Sequence, residues 1–73
     1  MSLINKINRI VARLDLYPIE LSGSKNIVKI SFASWSSYHL LYGELMSCKR
    51  SMAGHIIDDK YENKLYTIYV EAI

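Results

Sequence analysis

The sequence predicts an α+β domain with the element order α-β-β-α-β-β, a four-stranded antiparallel-rich sheet carrying two helices on one face. Three observations predict it. Apolar residues recur at helical spacing in residues 3–14 and 35–52. They alternate with period two in residues 27–33 and 64–72. Turn-forming residues, Pro18 and Ser22-Gly23-Ser24, fall between these stretches. A chain of 73 residues has the size of a single domain, 1–73.

The first helix places Leu3, Ile4, Ile7, Ile10, Val11 and Leu14 on one side, with Asn5, Lys6, Asn8, Arg9 and Arg13 opposite. Ser2 suits its N-cap, because a hydroxyl accepts from the free N–H groups of a first turn. Pro18 forbids continuation and biases Tyr17 toward extended backbone. Residues 16–21 then read as a short edge strand, with Tyr17, Ile19 and Leu21 on one side, since proline cannot donate to a ladder. A turn over residues 22–26 leads into a strand over 27–33, in which Val28, Ile30 and Phe32 face away from Ile27, Lys29 and Ser31.

Ser34 caps the second helix, whose apolar stripe is Trp35, Tyr38, Leu41, Tyr42, Leu45 and Met52. Lys49 and Arg50 suit its negative end and Gly54 its stop. Gly43 inside it weakens the helix by about 1 kcal/mol relative to alanine, which predicts a close approach there. The tail is a second hairpin, residues 55–59 and 64–72 around a turn Lys60-Tyr61-Glu62-Asn63. In its last strand Tyr66, Ile68, Val70 and Ala72 face the helices, and Leu65, Thr67, Tyr69 and Glu71 face away.

The economical arrangement orders the strands third, fourth, second, first, with the last strand central and Pro18 and the Asp58–Asp59 pair blunting the edges. This is the connectivity of a ferredoxin-like βαββαβ fold whose first strand has been moved to the C-terminus.

Hydrophobic residues make up 51% of the chain and charged ones 22%, a composition that excludes a disordered tail. Because no apolar run nears the roughly 20 residues of a bilayer crossing, no membrane role is expected. One cysteine cannot form an internal disulfide, and the N-terminal residues lack the pattern of a secretory signal, so a cytoplasmic location is expected. The net charge is only +2. Its cations concentrate early, with Lys6, Arg9 and Arg13 unopposed in residues 1–14, while residues 55–73 are mildly acidic.

Enzymatic chemistry finds little support. His39, His55 and Cys48 share no chelating spacing, and adjacent Asp58 and Asp59 point to opposite faces of a strand, so no metal is expected. His39 and Cys48 lie about 2.5 turns and roughly 13 Å apart on one helix, too far for a hydrogen bond. An acid–base ribonuclease using His39 or His55 with Glu44 is the remaining catalytic arrangement. Ser22-Gly23-Ser24-Lys25 sits between strands and so lacks the helix dipole of a phosphate loop. No catalytic residue, cofactor or small-molecule substrate is assigned.

Two surfaces remain. Six tyrosines stand against one tryptophan and one phenylalanine. The uncovered sheet face would display Ile27, Lys29, Leu65 and Tyr69, with Tyr61 at the hairpin turn, and tyrosine-bearing apolar patches mark protein-binding surfaces. The leading expectation is therefore a small non-enzymatic protein-interaction module binding a protein partner through these five residues, self-association as a homodimer being the simplest version. Phage or mobile-element inhibitors of a host protein complex have this make-up. The alternative is a nucleic-acid binder, since Lys6, Arg9 and Arg13 at i, i+3 and i+7 share a helical face that can track phosphates, and Lys29 beside an aromatic residue can help stack bases.

Overall fold

Helix α1 spans Leu3–Arg13 and begins as expected, with the Ser2 hydroxyl accepting from the Asn5 N–H at 3.3 Å. The computed structural model describes residues 2–73, and Lys49 and Arg50 by their backbone alone. The pairing expected between those two side chains and a helix dipole thus lies outside the described residues. α1 buries Leu3, Ile7, Ile10 and Val11. It stops in a Schellman turn. Asp15 adopts left-handed backbone (φ 58), its N–H donating to the Ala12 carbonyl and the Leu16 N–H to that of Val11.

That turn displaces the first strand. Leu16 is buried as part of the helix end, and Tyr17 and Ile19 stand exposed. Pro18 has no N–H to donate, so pairing begins with the Ile19 N–H on the Ser31 carbonyl at 2.8 Å. Strand β1 is therefore Glu20–Gly23 rather than residues 16–21, and its turn into β2, Ile27–Phe32, is shorter than expected. Gly23 is required there, because a Cβ would lie 2.4 Å from the Ile27 carbonyl oxygen.

Helix α2, Trp35–Ser47, starts at Ser34, whose hydroxyl accepts from the Ser37 N–H at 3.4 Å. It does not run to residue 52. Cys48 leaves helical geometry (φ −114, ψ 22) and a single turn, α3, follows at Lys49–Met52. Hydroxyls flank the break: Ser47 Oγ donates to the Gly43 carbonyl and Ser51 Oγ to that of Cys48, and such back-bonding bends helices. The bend still delivers Met52 to the core. Ala53, not Gly54, takes the left-handed position at the stop (φ 58). Gly54 is instead buried in β3, where a Cβ would meet Leu3 Cδ1 at 2.9 Å. Among the described residues nothing lies within 4 Å of a Cβ built on Gly43, so they do not supply the close approach expected there.

Strands β3, Gly54–Glu62, and β4, Leu65–Ala72, meet at a two-residue turn, Asn63-Lys64, both left-handed (φ 54 and 63). That is the tight hairpin geometry whose twist matches paired strands, so β3 extends through residues expected in a four-residue turn. Between Ile56, opposite Val70, and Asp58, opposite Tyr69, Ile57 is an unpaired extra residue, a β-bulge.

The sheet order is β1-β2-β4-β3, antiparallel throughout, as the sequence predicts. Both long helices pack on one face, α1 against β2 and α2 against β4, β2 and β3. Phe32, Ile30 and Val28 of β2, Ile68 and Val70 of β4, Leu41 and Leu45 of α2 and Ile7 of α1 form the buried centre. No described helix is long and apolar enough to cross a membrane.

Candidate functional site

The uncovered sheet face is built in rows that strand register sets. Glu20, Ser31, Thr67 and Lys60 form one row across the four strands; Ser22, Lys29, Tyr69 and Asp58 form the next; Ile27, Glu71 and His55 form a third. Ile27, Lys29, Leu65 and Tyr69 thus share this face. Tyr61 does not: it pairs with Tyr66 on the helical side. The face also carries more charge than expected, because both edge strands contribute ions. Lys29 Nζ lies 3.2 Å from Glu20, Lys60 Nζ 3.7 Å from Asp58 and 5.5 Å from the Tyr69 ring centroid, and His55 3.8 Å from Glu71. Ser22 adds a hydrogen bond to Glu20, and with Lys29 it holds the Glu20 carboxyl below its ordinary pKa. Most of this surface satisfies itself.

The outer face of α2 is the opposite case. Of thirteen residues only Glu44 is charged, and it turns inward to pair with Arg13 of α1. Trp35, Leu40 and Met46 are 54%, 56% and 52% exposed. His39 stacks on Trp35 with centroids 4.7 Å apart, and Gly43 lies open between Leu40 and Met46. The rest of this exposed face is uncharged, Ser36, His39 and Ser47 supplying its polar groups, and large apolar side chains bared on such a face mark an interaction surface. The core stripe expected of this helix included Trp35, which the structure places outside at the first turn. Leu40 and Met46 were absent from the sequence-based candidates. Their signal was the near-absence of charge from the helix, which periodicity alone does not register.

At the N-terminal end of α2 an aromatic cluster continues onto the sheet. Tyr38 lies 5.6 Å from Tyr66, and Tyr61 4.5 Å from Tyr66, between ring centroids. Trp35, Tyr38, Tyr61, Tyr66, Asp59 and Lys60 line a cleft of about 340 Å³. The Tyr38 hydroxyl donates to Asp59 Oδ2 at 2.6 Å. That bond, with burial and the neighbouring charge, pushes the Tyr38 pKa up to about 12.

Lys6, Arg9 and Arg13 come together as their spacing predicts, but around a cleft shared with Glu44, Cys48 and Ser51 rather than along an open ridge. Arg13 is already neutralised by Glu44. Burial raises the Cys48 thiol pKa, the nearby Glu44 charge adding to it and Arg13 opposing it, which leaves the sulfur protonated and a poor nucleophile at neutral pH. His39 and His55 sit on α2 and β3, stacked on Trp35 and beside Glu71 respectively. Among the described residues no three metal-ligating side chains cluster. Compared with known proteins, the chain matches no family model, no curated protein and no solved structure.

Proposed function

We propose that the protein is a non-enzymatic protein-interaction module that docks through the outer face of α2, and that a second copy of the chain is the occupant this face fits. The observation that carries the reading is the exposed, uncharged stripe Leu40–Gly43–Met46. Leu40 precedes Gly43 by three residues and Met46 follows it by three. A two-fold axis through Gly43 therefore sets each Leu40 beside the other copy's Met46, the self-complementarity an isologous dimer requires. Glycine at the crossing lets the helix backbones approach closely, and no like charges on this face oppose the pairing. A 13-residue helix is only about 20 Å long, so the contact belongs to the small, transient class of interfaces.

Sedimentation equilibrium from micromolar to millimolar concentration tests the proposal. Wild type should pass from monomer to dimer. Leu40→Asp and Met46→Asp should remain monomeric with unchanged circular dichroism, and Tyr69→Ala on the sheet should dimerise normally. A wild type that stays monomeric near 1 mM overturns the reading, and so does a dimer that survives Leu40→Asp. Loss of the dimer in Tyr69→Ala alone would transfer the interface to the sheet. The nucleic-acid alternative has less behind it, since one of its three cations is paired and the group lines a cleft with a carboxylate.

A further inference from the structure

We infer that the cleft between the first turn of α2 and the β3–β4 hairpin binds an alkylammonium group, methylated or free. Four aromatic rings, Trp35, Tyr38, Tyr61 and Tyr66, line it together with one carboxylate, Asp59. Ring faces carry negative quadrupole charge and attract soft cations. Tyr66 packs against Tyr38 and Tyr61 at 5.6 and 4.5 Å and His39 stacks on Trp35, so a cation here meets the ring surfaces that these contacts leave open beside Asp59. Lys60 also lines the cleft, but its ammonium is held beside Asp58 and over Tyr69 on the reverse face of the sheet, so it does not fill the site. Among the described residues lining the cleft, Asp59 supplies the carboxylate that a cation would meet. Its Oδ2 accepts from Tyr38, and Oδ1 has no hydrogen-bond partner among the described residues, leaving its charge open to the cationic head of the ligand. The Tyr38 bond also keeps the carboxylate oriented. A volume of about 340 Å³ is at the lower end for small-ligand pockets and suits a compact head group.

The site is complete within one copy, so it stands apart from the self-association described above. Trp35 is the only tryptophan, which makes its fluorescence a local probe. Wild type and the Leu40→Asp variant should be titrated with choline, with a short peptide containing Nε-trimethyllysine, and with the neutral choline isostere 3,3-dimethylbutanol. Both cations should give a saturable change with dissociation in the range of about 1–10 mM, typical of partly exposed cation–π sites. The relative affinity of the two separates a free small cation from a methylated protein side chain as the source. The isostere should bind at least about tenfold more weakly, because it keeps the shape and loses the charge. Tyr61→Ala, at a residue 60% exposed and therefore tolerant of truncation, should weaken choline binding about tenfold. Asp59→Asn, which retains an acceptor for Tyr38, should weaken it about fivefold. Equal binding of the isostere, a response still linear near 100 mM, or wild-type affinity in both variants overturns the proposal.

Discussion

Replacing Ser31 by alanine removes half of a buried hydroxyl pair. Ser31 Oγ and Thr67 Oγ1 lie 2.9 Å apart, with the two residues 0% and 5% exposed on the sheet face that no helix covers. Their row explains the burial: Glu20 and Lys60 flank them on the edge strands, with Lys29 and Tyr69 in the next row, and long side chains shelter short ones beneath their stems. Ser31→Ala leaves the Thr67 hydroxyl dry and without its partner, which costs about 1–2 kcal/mol, and Thr67→Val should cost the same through Ser31. In a domain of this size that is a fall in Tm of roughly 4–16 °C for each single variant. The double variant Ser31→Ala/Thr67→Val removes both polar groups and should lie within about 0.5 kcal/mol of wild type, a coupling of roughly 1.5–4.5 kcal/mol. Urea unfolding followed by circular dichroism closes the cycle. Additive losses, or neutral single variants, would show that water reaches the pair and refute the argument.

Glycine substitutions should separate by their surroundings: Gly23→Ala should lose about 3 kcal/mol against the Ile27 carbonyl, whereas Gly43→Ala, read on the monomeric Leu40→Asp background, should gain about 1 kcal/mol in thermal unfolding. Ala53→Gly and Lys64→Gly relieve left-handed backbone and should each add about 0.5–1 kcal/mol, measurable as higher urea midpoints. The Tyr38 phenol has a folded-state pKa raised above its unfolded value near 10, so the stability it contributes is fully present below about pH 10 and is lost as pH rises toward about 12. The deficit of Tyr38→Phe relative to wild type should accordingly be constant below pH 10 and shrink across that interval in denaturant titrations.

The long periodic segments were legible because many residues vote together. In α1, β2 and β4 every second or third side chain repeats the same instruction, and the strand order followed from which strand could lie inside the sheet. Features decided by a single residue were not legible. Asp15 and Ala53 adopt left-handed backbone although glycine is the residue that usually signals it, and Asp15 thereby shifted the start of β1. The tight Asn63-Lys64 turn lengthened β3 and carried Tyr61 out of the expected loop to the helical side. Among the candidate residues, Ile27, Lys29, Leu65 and Tyr69 were placed on one face correctly because alternation reaches them unbroken along β2 and β4. The charges around them arrive from the edge strands, whose phase depends on the bulge and the turn. Leu40 and Met46 escaped notice because periodicity identifies the side a helix buries and is silent on whether the other side is polar.

The extra residue at Ile57 has a consequence for life in a crowded solution. Excising it would let Ile56 and Asp58 follow one another opposite Val70 and Tyr69, so every side chain would keep its present side of the sheet. What would change is the outer rim of β3: a kinked margin would become a straight row of evenly spaced amide donors and carbonyl acceptors. Such a rim templates the addition of another extended chain. One surplus isoleucine thus interrupts the regular pairing edge of a nine-residue border strand.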